Sequence, residues 1–223
     1  TSGTAYSVSD VPTADTSGAV AGFADATGRF LPLVCTSNAA KVLDAIARLL
    51  GVDHDEFDRL ALDADNSGSP KYSSPTLLPY MDGERTPNRP DAAGVLAGLR
   101  SDISREQFAR AAVDGVASGL LDAFDGLNAL APVTGRLLLT GGGARSRALQ
   151  AVINGLLDIP VVLADADEAV ATGAALQAAA VLEQTDHASI QQRWGLGAGS
   201  TVAVSADPGD LRERYAELRD QSA

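Results

Sequence analysis

The segment Arg136-Leu137-Leu138-Leu139-Thr140-Gly141-Gly142-Gly143-Ala144-Arg145-Ser146 sets a buried strand directly against a glycine turn and the start of a helix. The helix is expected from Arg145 to Leu157. A second strand, Pro160 to Ala164, and an Ala-rich helix from Glu168 to about Leu182 follow. Two strands, each followed by a helix, define an α/β layer. The three glycines have a physical logic of their own. Without a Cβ the backbone can turn sharply, and a flat ligand can come into contact with it. The helix start adds N–H groups and a partial positive charge. A nucleotide seat and a tight structural turn both fit this pattern. It is neither the dinucleotide fingerprint nor a P-loop, because no Gly-Lys-Ser/Thr follows.

Upstream, residues 4–9, 19–24 and 30–35 read as three short strands. Asp10-Val11-Pro12, Asp15-Thr16-Ser17-Gly18 and Asp25-Ala26-Thr27-Gly28 supply the turns, which predicts an antiparallel meander. Asn38 is expected to cap a helix to about Leu50, with Gly51 as its stop, and a second helix runs from Asp53 to Leu62. Residues 63–76 are polar and turn-rich, a surface loop and a candidate hinge or lid. Short strands are expected at 77–81 and 94–99, joined by the proline-held loop 82–90. Ser104 opens the longest helix, 104–128. Its stripe of Phe108, Ala112, Val116, Leu120 and Phe124, with Ala111, Gly115 and Gly119 beside it, allows close approach to a sheet or another helix. The tail, with Trp194, a Gly-rich stretch and a charged helix from Asp210 to Arg219, reads as peripheral.

Composition narrows the function. The 223 residues carry 17 Lys plus Arg against 29 Asp plus Glu, a formal charge of -12. Such a chain repels nucleic acid and anionic membrane surfaces, yet can still hold a phosphorylated ligand through backbone N–H groups. Cys35 is the single cysteine, which excludes an intrachain disulfide and a zinc site built from Cys pairs; it reads as an inert thiol in a buried strand. No apolar run reaches the ~20 residues of a membrane span, and a cytoplasmic protein is expected. The chain opens inside a turn, at Thr1-Ser2-Gly3-Thr4, and reads as a fragment or one product of a cut chain. These small hydroxyl residues could hold phosphate oxygens or form an ordinary turn. His54 and His187 read as surface residues. Asp63, Asp65 and Asn66 read as solvated loop charge, lacking the ligand number of a calcium loop. Asp165, Asp167 and Glu168 precede a helix, where a capping role fits their charge.

Two stretches resemble the FGGY carbohydrate kinases. Gly94-Val95-Leu96-Ala97-Gly98-Leu99, followed after seven residues by Gln107-Phe108-Ala109-Arg110-Ala111-Ala112-Val113-Asp114, is similar to the family's second signature. Thr140 to Ala179, with Gly-Gly-Gly-Ala-Arg-Ser and then Glu168-Ala169-Val170-Ala171-Thr172-Gly173-Ala174-Ala175, resembles its adenine-binding segment. Leu78-Pro79-Tyr80 and Gly83-Glu84-Arg85-Thr86-Pro87 resemble the branch acting on xylulose, and Thr1-Ser2-Gly3 resembles the end of the family's phosphate loop.

The resemblance implies an α/β fold. Residues 1–183 would form the family's C-terminal nucleotide-binding domain, an actin-like ATPase (ribonuclease H-like) unit with a five-stranded mixed sheet and flanking helices. Residues 184–223 would be a peripheral extension of it. It also implies roles: Gly142, Gly143 and Ala144 against adenine and ribose, Arg147 at the base, and Thr1, Ser2 and Gly3 at the ATP phosphates. Glu168 and Gly173 would shape the following helix. ATP and Mg²⁺ are the implied cofactors. The family's catalytic Asp and its metal-binding acid both lie upstream of the matching region, so neither a catalytic nor a metal residue is assigned in this chain. The implied reaction moves the ATP γ-phosphoryl group to D-xylulose. Another family sugar (glycerol or gluconate) and a non-catalytic actin-like nucleotide-binding module are the alternatives. The chain alone is expected to be inactive, with the sugar held mainly by the missing half, and a bared apolar wall would favour a homodimer.

Overall fold

A computed structural model describes residues 2–64, 74–165 and 168–222. Thr1, Asp65, Asn66 and Asp167 lie outside the described residues. The first three strands, β1 (Gly3–Tyr6), β2 (Ala21–Ala24) and β3 (Phe30–Thr36), form an antiparallel sheet in the order β1-β3-β2, with Gly3 opposite Thr36 and Ala21 opposite Leu33. The expected meander would put β2 in the middle; instead β3, seven residues long, is central, with β2 as its hairpin partner and β1 on its other edge. Helices α1 (Ala40–Leu50) and α2 (His54–Asp63) follow. Gly51, at φ 69°, closes α1, and the Asp53 side chain accepts from Glu56 N to open α2. Asn38 does not cap α1. Ala39 stands at that position with no side-chain cap, and the Asn38 amide points instead to the Gly83 carbonyl and the Glu84 carboxylate.

Strands β4 (Thr76–Leu78) and β5 (Val95–Ala97) pair antiparallel and lead into α3 (Arg105–Leu130). A capping box starts α3: Ser104 Oγ accepts from Gln107 N, and Gln107 Oε1 accepts from Ser104 N. This helix is the spine of the molecule, touching β1, β3, β4, α1, α2 and α4. Its glycines make that approach possible. A Cβ on Gly115 would stand 2.3 Å from the Leu77 carbonyl oxygen. Within the signature stretch, Arg110 Nε and Asp114 pair at 2.7 Å and both side chains are buried. The signature therefore encodes a packing unit, β5 against β4 and the inner half of α3.

The remaining elements are β6 (Leu137–Leu139), a 3-10 turn at Gly142–Arg145, α4 (Arg147–Leu156), β7 (Val161–Ala164), α5 (Ala169–Glu183), α6 (His187–Arg193), β8 (Gly199–Thr201) and α7 (Leu211–Gln221). Strands β6 and β7 run parallel, and β8 adds antiparallel to β7. A single five-stranded mixed sheet is not formed among the described residues. Three separate ladders of three, two and three strands take its place. Among the described residues β1 bonds only to β3 and β6 only to β7, so each leaves an open edge. A sheet with parallel strands is held together by layers on both faces. Here α1 to α4 pack together with α3 across the strands, while α5 packs mainly on α6.

The tail is not peripheral in its packing. Val202, Ala206 and Leu211 enter the main core, and Tyr215 is wholly buried with Leu78 and Tyr80. Arg212 donates to the Ser118 carbonyl, Arg214 to Thr76 Oγ1 and Arg89 to the Arg219 carbonyl, which straps α7 across α3, β4 and the 82–90 loop. Burial pushes the Tyr215 phenol well above the ordinary tyrosine range, with Tyr80 and Asp122 adding to the shift. A raised pKa in the folded state means that the unfolded chain loses its proton first. Stability is then full below pH ~10 and falls as pH rises above it, by about 1.4 kcal/mol per pH unit for this one group. Urea melts from pH 9 to 11 should show this decline, and Tyr215→Phe should flatten it. No helix among the described residues is long and apolar enough to cross a membrane.

Candidate functional site

The parallel strands β6 and β7 end side by side, and an open cavity of about 270 Å³ lies beyond their carboxyl ends. Ligands in open α/β sheets bind in this position. Its lining comes from Thr140, Gly141, Gly142, Ala144 and Arg145 on one side and Leu163, Ala164 and Asp165 on the other. Gly141 holds φ at 87°, which a side chain would strain. Ala144 N then donates to the Gly141 carbonyl and Ser146 N to the Gly143 carbonyl, which rolls the glycines into a 3-10 turn. At Gly142 a Cβ would meet nothing within 4 Å. That side of Gly142 is open space at the cavity wall.

The turn changes where the next helix begins. Helix α4 starts at Arg147 rather than Arg145, capped by Ser146, whose Oγ accepts from Leu149 N. Asp58 of α2 accepts from both Ser146 Oγ and Arg147 N. The amino end of α4, expected to offer unpaired N–H groups to a ligand, is thus held by a carboxylate of the protein itself. Asp58→Ala is expected to cost about 1 kcal/mol of stability, readable in a urea melt, because the α4 cap then loses its outer partner.

The expected site residues fall in different places. Gly142 and Ala144 line the cavity, and Gly143 lies beside it with its would-be Cβ 3.4 Å from Ala40 Cβ. Arg147 is exposed and outside the lining, which takes Arg145 in its place. Ser2 is exposed, and Gly3 is packed: a Cβ there would stand 2.4 Å from Leu120 Cδ2 and 3.2 Å from Ala39 Cβ. Ala39 and Ala40 are consecutive, so the amino end of α1 brings the Gly3 strand and the glycine turn to one place. Sequence reading missed this, because two alanines carry no signal of their own. It also missed Asp165, which lines the cavity; Glu168 stands at the α5 cap position without a side-chain cap bond. His54 is exposed and 3.6 Å from Asp44, a surface contact.

Beneath the amino end of α1, Glu84 is buried. Its carboxylate accepts from Ser37 N, Asn38 Nδ2, Arg85 N and Thr86 N. Thr86 Oγ1 donates to the Cys35 carbonyl at 2.9 Å. These bonds tie the 83–90 loop to the end of β3 and the start of α1. Among the described residues no group of three or more His, Cys, Asp or Glu could hold a metal.

The sequence description of the C-terminal domain of the FGGY family of carbohydrate kinases matches residues 1–182, and the chain belongs to that family. Its relatives include the xylulose kinase of Streptomyces coelicolor, 44% identical over 222 residues, and that of Streptomyces rubiginosus, 42% identical over 222 residues. Each match takes in 99% of this chain and 44% of the relative, so the chain spans under half the length of the curated relatives it matches. Among solved structures, a xylulose kinase from Bifidobacterium adolescentis superposes with a TM-score of 0.76 at 38% identity, covering 98% of this chain and 42% of that one. More distant relatives include a gluconokinase and glycerol kinases. The fold is that of the FGGY sugar kinases, built here on three ladders.

Proposed function

We propose that this chain is the nucleotide-binding half of an ATP-dependent sugar kinase, and that the complete enzyme phosphorylates D-xylulose. The observation that carries the reading is the cavity at the carboxyl ends of β6 and β7, with the open cradle at Gly142. Its lining sets a backbone bare of side chains at Gly141 and Gly142 and the apolar Ala144, Leu163 and Ala164 beside the polar Thr140, Arg145 and Asp165, a mixture that suits the flat ring and the polar edges of a nucleoside. Gly142 and Ala144 would lie against the nucleoside, and Arg145 and Asp165 stand at the same cavity for its polar edges. Ser2 and Gly3, reached through Ala39 and Ala40, would stand toward the phosphates. Bound Mg-ATP supplies the phosphoryl group.

Transfer also needs a base on the sugar hydroxyl and exclusion of water. The family places that base in the part of the relatives that this chain does not span. Xylulose as the sugar is supported by the two Streptomyces relatives; gluconate or glycerol is the second reading, supported by the more distant ones.

Calorimetric titration with Mg-ATP tests the seat, with saturable binding as the expected result. Absence of any binding to a folded chain would remove the nucleotide reading. A coupled assay with ATP and D-xylulose should give no turnover by the 223 residues alone, and turnover would overturn the division of labour between halves.

A further inference from the structure

Glu84 is a buried acid, 4% exposed, that the proposed reaction does not use. Its Oε1 accepts from Ser37 N, Arg85 N and Thr86 N, and its Oε2 from Asn38 Nδ2. A carboxylate offers about four acceptor sites. These donors of the protein fill them, which leaves no lone pair for a ligand or a metal. What such a group does is hold other groups in place.

Two of the donors belong to one short joint. Ser37 and Asn38 connect the end of β3 at Thr36 to Ala39, the cap position of α1. The joint touches both sides of the proposed nucleotide site. Thr36 pairs with Gly3, and a Cβ on Gly3 would stand 2.9 Å from Thr36 Oγ1 and 3.2 Å from Ala39 Cβ. Ala40, the next residue, is the neighbour of Gly143. Nothing local locks this joint. Ala39 makes no side-chain cap, and the first turn of α1 carries no acid. Helices α2, α3, α4 and α6 each open on a side chain that accepts from their own first turn. For α1 the hold comes from a loop 47 positions beyond Ser37. That loop is itself braced. Glu84 and Arg89 exchange both backbone hydrogen bonds, at 2.8 and 2.9 Å, Gly83 N donates to the Ala92 carbonyl, and Arg89 Nη1 donates to the Arg219 carbonyl of α7.

We propose that Glu84 is a positioning residue of the nucleotide site: its carboxylate fixes the amino end of α1 between the Gly3 strand and the glycine turn, and so sets the phosphates at the right distance from the nucleoside seat. The inference rests on the reading that Mg-ATP occupies this site. Parts of such a site need holding to within about 0.5 Å by surrounding hydrogen bonds. The cavity proposed for the nucleoside is lined by residues of 140–145 and 163–165 and by none of α1. A slack joint is therefore felt at the phosphates and not at the base.

Glu84→Gln is the test, because it keeps the shape of the side chain. The amide oxygen still accepts from Ser37, Arg85 and Thr86, but the amide NH₂ meets Asn38 Nδ2, donor against donor. Asn38 can answer by turning over its own amide, so that Oδ1, buried without a partner, faces the new donor, and this gives up the bond to the Gly83 carbonyl. The parent and the variant are titrated with Mg-ATP by calorimetry and with adenosine by ligand-observed NMR. The expected result is a loss of about tenfold in affinity for Mg-ATP, with adenosine unchanged to within about twofold. Thr86→Val unties the same loop from the Cys35 carbonyl and leaves the carboxylate alone. It should lower the urea midpoint and keep both affinities. Equal losses for the two ligands in Glu84→Gln, or no loss for either, would overturn the proposal, as would a matching loss in Thr86→Val. Should Glu84→Gln fail to fold by circular dichroism, Asn38→Ser is read in its place, since it withdraws the Oε2 donor and leaves the three backbone donors. Loss of the fold in both would make Glu84 a folding residue and overturn the proposal too. A parent that binds Mg-ATP but not adenosine keeps the proposal when Glu84→Gln shows the tenfold loss and Thr86→Val does not. A parent that does not bind Mg-ATP sinks the nucleotide reading, and this proposal with it; unchanged variants of a parent that does bind sink this proposal alone.

Discussion

Gly142→Val is expected to weaken Mg-ATP binding by at least tenfold and to leave the thermal midpoint within about 2 °C of the parent. Apart from the turn's own backbone, no atom of the described residues lies within 4 Å of the Cβ that the substitution adds, so the fold has nothing to move aside. The branched side chain enters the cavity instead, on the surface proposed to hold the nucleoside. The neighbouring glycines are poorer tests. Gly141 has φ 87° and would be strained by any side chain, and Gly143 stands 3.4 Å from Ala40 through its would-be Cβ, so valine there would also push on α1. Loss of binding at Gly142 with stability preserved locates the seat. Unchanged binding, given a parent that binds, would move the nucleotide away from the turn.

Gly115→Ala should destabilise the protein by roughly 3 kcal/mol, although alanine is the better helix former. On an open helix surface the exchange would stabilise by up to ~1 kcal/mol. At position 115 the new Cβ would lie 2.3 Å from the Leu77 carbonyl oxygen, a backbone atom of β4. Helix and strand must separate, and α3 is the element on which most others rest. Gly126→Ala on the same helix is the internal control, because nothing lies within 4 Å of its would-be Cβ. Opposite signs for the two, read from urea melts, are the expected outcome. A neutral result at 115 would mean that α3 can slide on β4.

The same carbonyl contact explains part of what the family signature means. Its residues surround β5, the turn at Gly98 and the inner face of α3, where Arg110 and Asp114 form a buried pair. Truncating either partner would remove this 2.7 Å counter-ion from the other's buried charge. The signature marks packing that carries the site rather than the site itself.

Local features were legible from the amino-acid sequence because their causes lie within a few residues. Ser104 as a helix start, Gly51 as a helix stop, the hairpin of β2 and β3 and the glycine turn after β6 each follow from hydrogen bonds and backbone angles set by near neighbours. The family, too, was readable from contiguous motifs. Other features depend on residues far apart in the chain. Asp58 reaches Ser146 across 88 positions and occupies the helix end that sequence offered to a ligand. The turn then tightens into a 3-10 form, which brings Arg145 rather than Arg147 to the cavity. Asn38 faces Glu84 instead of capping α1, because a loop 46 positions away supplies a buried carboxylate. The tail entered the core because Tyr215 and Leu211 meet surfaces of α3 and β4 that no local pattern reveals. Strand pairing is the clearest case. Seven strands could be read in order, yet whether their edges meet in one sheet depends on layers covering both faces, and α5 lies away from them on α6. Sequence determined the family and most of the elements, though not α6 or β8 in the tail; the tertiary structure alone decided which edges, helix ends and apolar faces remain open, since those are set by what long-range packing covers.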